Sequence, residues 1–469
     1  MPAMRKAARI DGRTASRART PPPLRRRSWR YVPRRSAWSR VVLLRAITRM
    51  LNADRSHSHP VSYPVVVPKA PSKTELDEFL GRAMVDVIVR EEFAALLRSG
   101  ERRLRIKQGF DPTKPNLHIG HAVGLRKLRT LANWGHEIVL IVGDWTTQIG
   151  DPTDKDETRP TMSHEQVLKN AETYVKQFHM VVPKEGSRIV FQSEWFGKFG
   201  LKDVIDLAGR FTAQQMLQRE EFRKRMEKKT PIPIKDLLYP LLQAYDSVAT
   251  QADVEMGGTD QLFNILAGRE LQSQLGQPPQ QVFTVPLLEG LDGEKMSKSK
   301  PKTGIWLTDQ PNEIYGKVMS IDDALMPHYF EWATDLPWDE VKQINAAIAN
   351  GEIAKKAAKE KLAWQITSEL HSPAKAAIAA AAFTRQFSEG QLPEDIEEVT
   401  LEADGAKEIG IVELLMKGLK KSRSESRRLV EQGGVSVDGS KTNESSKFPT
   451  SGTYIVKYGK RSYAKFTWR

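Results

Sequence analysis

The stretch RIKQGFDPTKPNLHIGHAVGLRKLRTLANW, residues 105–134, determines the fold that we predict for this chain. A short strand-like run ends in the turn residues Asp111-Pro112-Thr113, and apolar residues then recur at helical spacing from Ala122 to Trp134. The peptide His118-Ile119-Gly120-His121 therefore stands at the start of a helix, where exposed N–H groups and the helix dipole favour negative charge. Gly120 has no side chain, so a base or ribose can approach the backbone there.

Strand-like and helical patterns alternate beyond this stretch. Apolar, β-rich runs occupy residues 138–142, 188–191 and 281–288, whereas residues 72–99 have a helical pattern. Strands separated by helices predict an α/β fold with a parallel sheet and right-handed crossovers. Ligands bind beyond the carboxyl ends of the strands in such sheets, and most of the polar motifs directly follow strand-like runs.

A second polar motif, Lys295-Met296-Ser297-Lys298-Ser299, lies in a glycine-containing loop at 290–301. The loop is cationic and suited to closing over a polyphosphate. The alternative is an ordinary solvated loop, because short motifs also match by chance. Two such motifs in this order, each on the expected kind of element, favour a site for the phosphates of ATP.

Composition restricts the class of protein. Cysteine is absent from the 469 residues, which excludes disulfides, cysteine-ligated zinc and a thiol nucleophile and fits a reducing compartment. No apolar run approaches the length of a membrane span. The net charge of +14 is unevenly distributed: residues 1–60 carry +14, residues 61–410 carry −8 and residues 411–469 carry +8. Basic ends suit contact with a polyanion such as RNA.

Residues 1–60 are rich in arginine, interrupted by proline and without periodicity, and we predict a disordered basic extension. Such a segment could be an organelle transit peptide, an RNA-binding arm, or the product of an upstream start site, with Met50 as the true beginning. The segment Val41–Met50 offers only a short apolar patch and no clear amphipathic helix, which favours the start-site explanation or a dispensable arm.

From about residue 70 to its C-terminus the chain resembles the bacterial-type tyrosyl-tRNA synthetases, which are class I aminoacyl-tRNA synthetases. The two motifs resemble the HIGH and KMSKS signatures of that class. Four further blocks resemble this family more specifically: Gly109–Thr113, Ile149–Pro152, Tyr239–Asp246 and Gly257–Gln261.

The resemblance implies a Rossmann-like catalytic domain at 61–310, with a dimer-contact insertion at about 195–235. A helical anticodon-binding domain follows at 311–400, where the sequence becomes rich in alanine and lysine. An acidic linker follows at 401–410, and an α-then-β module at 411–469 resembles an RNA-binding unit first known from a ribosomal protein. Arg423, Arg427 and Arg428 would lie on one helical face of that module and bind RNA.

The implied activity joins L-tyrosine to ATP, forming tyrosyl-adenylate and pyrophosphate, and then transfers tyrosine to the 3′ end of tRNA(Tyr). This chemistry requires positioning and charge stabilisation more than covalent catalysis. The groups available for it are Thr113, His118, His121, Lys295 and Lys298, with Mg²⁺ held through the phosphates and water. The resemblance also implies a cytoplasmic homodimer that needs no membrane.

For the nucleotide, the resemblance implies contacts from Gly120, from Asp260 to the ribose, and from Lys298. It adds Lys155 and Arg159, which match positions on another phosphate-binding loop. Asp154 departs from the family there, because the family often has glycine at this position.

For the amino acid, Tyr239, Gln243 and Asp246 recur at i, i+4 and i+7 and share one helical face within an apolar stretch, as expected of a pocket wall. The resemblance implies that Asp246 binds the phenol hydroxyl and that Tyr239, Gln243 and Asp151 bind the ammonium. It places Gln261 near the substrate carboxyl group. Lys107 departs from the best-known member, which has a tyrosine there that also contacts the phenol.

Three alternatives are weaker. A non-catalytic or moonlighting RNA-binding protein on a synthetase scaffold would be expected to have degraded signatures, and both are intact. A nucleotidyltransferase of another pathway shares the His-x-Gly-His element but would not require the second motif or the RNA-binding modules. The related tryptophanyl-tRNA synthetases lack the C-terminal module.

Overall fold

The computed structural model describes residues 68–151, 162–298, 301–387, 396–403, 405–459 and 462–469. A six-stranded sheet with the strand order β1-β6-β5-β2-β3-β4 forms the first part of the chain. All its neighbouring strands are parallel except β1, which runs antiparallel to β6. This sheet confirms the predicted α/β class. The strands are β1 Val87–Ile88, β2 Arg105–Phe110, β3 Glu137–Val142, β4 Ser187–Phe191, β5 Val254–Gly258 and β6 Gln281–Val285.

Helices connect the strands and cover the sheet. In β3 the five consecutive residues Ile138–Val142 are buried, as expected of a parallel strand with both faces covered. The connecting helices are α1 Lys73–Gly81, α2 Arg90–Ser99, α3 Ile119–Asn133, α4 Thr146–Ile149, α5 His164–Phe178, α6 Ser193–Phe196, α7 Leu201–Ala208, α8 Ala213–Leu217, α9 Glu220–Glu227, α10 Ile234–Thr250 and α11 Leu262–Gln274.

Three local expectations differ from the structure. The helical pattern at 72–99 is divided into α1 and α2, because the chain turns at Arg82, whose guanidinium donates to four backbone carbonyls of residues 330–336. The highly charged stretch at 214–229, with Glu/Lys and Glu/Arg pairs near i,i+4 spacing, predicts one helix, but it forms two short helices, α8 and α9, which are separated by the buried Arg219. The strand β5 was not predicted, since its sequence VEMGG carries only a weak strand signal.

A helical region follows the sheet, as the alanine- and lysine-rich sequence predicts. A short 3-10 turn at Asp323–Leu325 precedes its second helix. Its helices are α12 Pro311–Val318, α13 Met326–Ala333, α14 Trp338–Ala349, α15 Lys355–Leu370 and α16 Pro373–Phe387.

The C-terminal module combines two helices with small sheets, of which the larger has the order β10-β9-β12-β13-β7 and the smaller pairs β8 with β11. The sequence Gly433–Gly439 predicts a hairpin. Asp438 and Gly439 both have positive φ in the turn between β9 and β10, which confirms it. The elements are β7 Glu397–Leu401, β8 Glu408–Gly410, α17 Ile411–Leu419, α18 Arg423–Glu431, β9 Val435–Val437, β10 Ser440–Lys441, β11 Lys447–Pro449, β12 Thr453–Tyr458 and β13 Ser462–Trp468.

The predicted linker at 401–410 is wrong in its described part. The strand β7 runs parallel to β13, and β8 pairs with β11, so both strands belong to the C-terminal module. Leu401 and Ile409 are buried in the module's apolar core, which is the physical reason that this acidic segment is ordered. The same two strands overturn the predicted end of the helical domain at 400 and the predicted start of the module at 411, because β7 begins at Glu397. The other domain boundaries stay predictions, and residues 1–60 lie outside the described part of the chain. None of the described helices is long and apolar enough to cross a membrane.

Candidate active site at the carboxyl edge of the parallel sheet

A cavity opens at the sheet edge where β2 and β5 end and α3 begins. Parallel strands end on the same edge, so residues that are distant in the sequence meet there. All twelve predicted cavity residues that the structure describes line this cavity: Thr113, His118, Gly120, His121, Asp151, Tyr239, Gln243, Asp246, Asp260, Gln261, Lys295 and Lys298. The predicted residues Lys155 and Arg159 lie outside the described part of the chain.

Helix α10 supplies one wall of the cavity. Tyr239, Gln243 and Asp246 share the face that the i, i+4, i+7 spacing predicts, and all three line the cavity. The hydroxyl of Tyr239 donates to Asp111 Oδ2 at 3.0 Å, and Thr146 Oγ1 donates to Asp111 Oδ1 at 2.6 Å. Burial raises the pKa of Asp111 to about 7 and the pKa of Tyr239 well above its usual range. The tyrosine therefore stays a neutral donor.

At one end of this wall, Asp246 is buried and held by two donors. Gln192 Nε2 donates to its Oδ2 at 2.8 Å, and the indole Nε1 of Trp195 donates to its Oδ1 at 3.1 Å. Burial raises the pKa of Asp246 to about 7, while the nearby Lys107 ammonium acts in the opposite direction. A carboxylate oxygen accepts more than one hydrogen bond, so Asp246 keeps accepting capacity for a hydroxyl group.

At the other end, Asp151 is held on both of its oxygens. Arg219 approaches Oδ1 at 3.1 Å, and Gln261 Nε2 donates to Oδ2 at 2.9 Å. The buried Asn264 donates to Gln261 Oε1 and to Gln243 Oε1, at 3.0 Å in both cases. A carboxylate and two oriented amides thus surround this end of the cavity, which is an arrangement suited to an ammonium ion.

The two histidines lie at the first turn of α3. His121 Nδ1 accepts the backbone N–H of His118 at 3.2 Å, so the proton of a neutral His121 ring is on Nε2. The two ring centroids are 3.8 Å apart. Burial, together with the Lys295 and Lys298 ammonium groups, holds the pKa of both histidines well below the usual range. Both rings are therefore neutral at physiological pH and act as hydrogen-bonding groups.

Gly120 makes room for a neighbouring ring as well as for a ligand. A Cβ atom on Gly120 would lie 2.9 Å from His118 Nδ1, which is closer than such contacts are observed. The glycine therefore also determines how tightly the His118 ring packs on the first turn of α3.

The lysine-rich loop also reaches the cavity, which Lys295 and Lys298 both line. Met296 is buried and its backbone N–H donates to Leu288 O at 3.0 Å, which anchors the described part of the loop. Lys295 Nζ pairs with Asp260 Oδ2 at 2.5 Å, and Lys298 Nζ donates to Asp111 O at 3.2 Å. Two cations thus line the cavity on the side of the histidines.

Several residues that shape the site were not among the predicted ones. Gln192 and Trp195 directly follow β4, so the rule that ligands bind beyond strand ends could have indicated them. Asp111 lies within the block Gly109–Thr113, but no role at the site was predicted for it. Arg219 and Asn264 carry no local signal, because only the packing of α9 and α11 against the cavity brings them to it.

The three predicted RNA-binding arginines lie elsewhere, on α18 of the C-terminal module. Arg423, Arg427 and Arg428 are all exposed, and Arg427 pairs with Glu444 at 3.1 Å. Among the described residues, no group of three or more His, Cys, Asp and Glu side chains could hold a metal ion.

Two family models match the chain. The model described as tRNA synthetases class I (W and Y) matches residues 99–388, and the S4 domain model matches residues 412–453. Curated relatives match over nearly their whole length. A tyrosine–tRNA ligase of Dehalococcoides mccartyi (strain CBDB1) is 48% identical over 84% of this chain and 99% of its own. A tyrosine–tRNA ligase of Geobacter sulfurreducens is 44% identical over 82% of this chain and 97% of its own.

Solved structures share the fold. The C-terminally truncated mitochondrial tyrosyl-tRNA synthetase of Aspergillus nidulans has a TM-score of 0.55 at 22% identity and covers 67% of this chain and 95% of its own. The tyrosyl-tRNA synthetase of Archaeoglobus fulgidus, solved with L-tyrosine, has a TM-score of 0.53 at 21% identity, over 66% of this chain and 99% of its own.

Proposed function

The chain belongs to the tyrosine–tRNA ligase family of class I tRNA synthetases, and on that premise we propose that its cavity activates L-tyrosine with ATP and passes the tyrosyl group to the 3′ end of tRNA(Tyr). The tyrosine carboxylate attacks the α-phosphorus of ATP, and pyrophosphate leaves. A terminal ribose hydroxyl of the tRNA then attacks the carbonyl carbon of the adenylate, and AMP leaves. The observation that carries the proposal is that carboxylates and two lysine ammonium groups line the same cavity at the sheet edge.

Tyrosine would lie along α10. Asp246 accepts the phenol O–H, since its two oxygens are already oriented by Gln192 and Trp195. Asp151, Tyr239 and Gln243 surround the ammonium at the opposite end, and Gln261 contacts the substrate near its carboxyl group. A site built to bond a hydroxyl group rejects phenylalanine strongly, because the buried carboxylate would otherwise lose a partner.

ATP would lie between α3 and the lysine-rich loop. Asp260 binds the ribose, which requires Lys295 to leave the carboxylate that it pairs with here. Thr113 and the neutral His118 and His121 donate hydrogen bonds to the phosphates. Lys295 and Lys298 then stabilise the charge that develops on pyrophosphate. Gly120 lets the nucleotide approach α3. From the resemblance alone, Lys155 and Arg159 add cations to the same phosphates.

Mg²⁺ is proposed as part of the nucleotide substrate. This ion usually keeps several waters and is bound through substrate phosphates with one or two carboxylates. The carboxylates of Asp260 and Asp151 line the described cavity, and each is already paired with a cation, Lys295 and Arg219 respectively. They do not form a dedicated metal cage, which fits a Mg²⁺–ATP complex entering the site.

The helical region at 311–387 and the C-terminal module would bind the tRNA, the first at the anticodon. The match of an S4 domain model at 412–453 and the exposed Arg423, Arg427 and Arg428 on α18 support the RNA contact of the module. Phosphate contacts from arginine position a nucleic acid strongly and with a salt dependence.

A homodimer is proposed for the assembly. Leu201, Ile205 and Ile234 are large apolar residues with 77%, 60% and 72% of their surface exposed, and they lie within the predicted dimer-contact insertion. Leu201 and Ile205 lie four residues apart on one face of α7, and an exposed apolar face of this kind marks protein interfaces. The proposed location is the cytoplasm, where charged tRNA is used for translation.

The alternative of a non-catalytic or moonlighting RNA-binding protein is not favoured, because the catalytic signatures are intact and line one cavity. ATP–pyrophosphate exchange with each of the twenty amino acids tests the choice. Exchange that depends on tyrosine, followed by charging of tRNA(Tyr), is the expected result. Exchange with none of the twenty amino acids would contradict the catalytic assignment. Exchange with tryptophan alone would contradict the assignment of tyrosine as the substrate.

A further inference from the structure

A buried ion pair borders the proposed tyrosine pocket, with Glu255 among the residues that line the cavity, and it has no part in the functions given above. Lys107 Nζ and Glu255 Oε2 are 3.0 Å apart, and the two side chains are 0% and 2% exposed. They stand opposite one another on the neighbouring parallel strands β2 and β5. A fully buried pair of charges is costly to desolvate, so its retention needs an explanation other than stability.

Lys107 has no donor left for a substrate. An ammonium group has three N–H bonds, and Lys107 Nζ uses them on Glu255, on Ser247 Oγ at 2.6 Å and on the backbone carbonyl of Gln243 at 3.0 Å. Ser247 and Gln243 both belong to α10. Lys107 therefore does not replace the family's tyrosine as a direct contact to the phenol, and instead it ties α10 to the sheet.

Glu255 completes the connection from the other side. Its Oε1 accepts a hydrogen bond from the Gln243 side chain at 3.3 Å, and its Oε2 accepts bonds from Ser247 Oγ at 3.0 Å and from Gln280 Nε2 at 2.5 Å. Gln243 is thus held by the pair through both its backbone and its side chain. Lys107 and Glu255 therefore hold in place both α10 and Gln243, which belongs to the proposed ammonium-binding end of the pocket.

The pair also sets the electrostatics of the phenol end. The charged groups that face Asp246 are Lys107 on β2 and Glu255 on β5, and its hydrogen-bond partners are Gln192 and Trp195 after β4. Lys107 favours the ionised carboxylate, and Glu255 opposes it. A protonated Asp246 would lose part of its capacity to accept the phenol O–H.

We propose that Lys107 is a positioning and specificity residue, which fixes α10 through Glu255 and Gln243 and supplies a positive charge that favours the ionised carboxylate of Asp246, the form that best accepts the phenol O–H. This inference rests on the proposed tyrosine activation and deepens it. Asp246, whose ionised form the Lys107 ammonium favours, is then the one group that recognises the phenol, where the best-known family member uses two.

The test compares two substitutions of opposite sign in the full-length chain. Lys107→Met removes the positive charge and raises the pKa of Asp246, whereas Glu255→Gln removes the negative charge and lowers it. The readout is kcat/KM for ATP–pyrophosphate exchange with tyrosine and with phenylalanine, from about pH 6 to about pH 9. Lys127→Met is the matched control, because Lys127 is a second buried lysine whose Nζ donates to Phe79 O at 2.6 Å outside the cavity.

In Lys107→Met, tyrosine use should fall about tenfold near neutral pH and recover as the pH rises, since one unit of pKa changes the ionised fraction by up to tenfold. In Glu255→Gln, the step in the tyrosine profile should move to lower pH. Phenylalanine use should show neither shift, and Lys127→Met should retain the wild-type profile.

Two results would overturn the inference. If kcat/KM in Lys107→Met falls by the same factor for tyrosine and phenylalanine at every pH, Lys107 has only a structural role. If that variant does not fold, an unmoved tyrosine profile in Glu255→Gln overturns the inference, and a shift to lower pH supports it. Wild-type protein without tyrosine-dependent exchange would instead refute the proposed function, so the two failures are distinguishable.

Discussion

Arg219 reaches from the break between α8 and α9 to the carboxylate of Asp151, with 3.1 Å between Nη2 and Oδ1. The arginine side chain is 2% exposed and also pairs with Glu221 at 3.2 Å. The predicted dimer-contact insertion therefore provides a buried cation to the ammonium end of the candidate site. Through this contact the insertion connects the proposed assembly surface with the substrate pocket.

Replacing Arg219 by methionine should weaken tyrosine binding more than it slows the chemical step. Asp151 would lose the Arg219 contact on Oδ1, which helps to orient the carboxylate toward the substrate ammonium. Truncating one partner of a buried charge pair costs about 2–5 kcal/mol in total, and we expect at least a roughly tenfold rise in KM for tyrosine. Steady-state ATP–pyrophosphate exchange measures this change.

The matched control is Arg225→Met on α9. Arg225 pairs with Asp236 at 2.8 Å and does not line the cavity. This variant should lose a comparable ion pair and leave KM for tyrosine unchanged. An equal rise in both variants would mean that the insertion acts only through stability.

Lys298→Ala should lower the rate of adenylate formation and leave tyrosine affinity nearly unchanged. The Lys298 ammonium is 3.2 Å from Asp111 O at the cavity mouth, where it would stabilise charge that develops on the phosphates in the transition state. Removal of such a group typically costs about 10²-fold or more in rate. Pre-steady-state measurement of adenylate formation separates the rate from binding.

Lys302→Ala is the comparison for this loop. Lys302 is 85% exposed and pairs with Glu425 at 3.6 Å, outside the cavity. It should activate tyrosine at the wild-type rate. A Lys298→Ala variant with the same rate as Lys302→Ala would exclude the proposed role.

Asp246→Asn should stabilise the folded protein and reduce tyrosine activation, and the gain in stability should depend on pH. Burial raises the folded-state pKa of Asp246 to about 7, above the ordinary value of 3.8, so the folded state binds the proton more tightly than the unfolded state. The free energy of unfolding of the wild type therefore decreases as the pH rises from about 4 to about 7. The amide carries no charge to bury. Above about pH 7 the free energy of unfolding of Asp246→Asn should therefore exceed that of the wild type, and below about pH 4 the two values should be similar.

The same substitution should reduce tyrosine use by about one to two orders of magnitude and phenylalanine use much less. A hydrogen bond to a charged partner is worth about 1.5–3 kcal/mol, and only tyrosine makes it. Thermal unfolding between about pH 5 and about pH 8, together with exchange kinetics for both amino acids, tests both parts. Equal losses for the two substrates would show that the phenol is read elsewhere.

Removal of residues 396–469 should leave amino-acid activation nearly intact and impair tRNA charging. The cut is placed before β7, because β7 pairs with β13. A cut at Ile411 would remove β13 and leave β7 without its partner strand. The basic module is expected to hold the tRNA, so its loss should raise KM for tRNA more than it lowers the rate of exchange. Equal loss of both reactions would indicate a structural module.

Much of this molecule follows from local sequence. The helix start at His118–His121 and the buried run of β3 are set by periodicity and turn chemistry over a few residues. The i, i+4, i+7 face of α10 is likewise a property of helical geometry alone, and it correctly brings Tyr239, Gln243 and Asp246 to one cavity wall. The twelve described cavity residues were identifiable because they lie in sequence blocks at strand ends, at a helix start, along α10 and in the loop at 290–301, and several of them because of the family resemblance alone.

What the sequence could not supply are the partners of those residues. The pairing of Lys107 with Glu255 exists only because β5 lies beside β2 in the sheet, although about 150 residues separate them in the chain. The contact of Arg219 with Asp151 depends in the same way on where α9 packs. The acidic segment before Ile411 has no strong local signal, and it becomes β7 and β8 because the C-terminal module offers them unpaired strand edges.

The sequence by itself thus determined the fold class, the position of the candidate site and the residue types that line it, since periodicity and turn residues act over short distances. The tertiary structure alone decided which charges are buried, which groups neutralise them and which oxygens remain to accept a substrate. The physical reason is that burial and ion pairing are set by strand order and helix packing, which bring together residues that no local pattern relates.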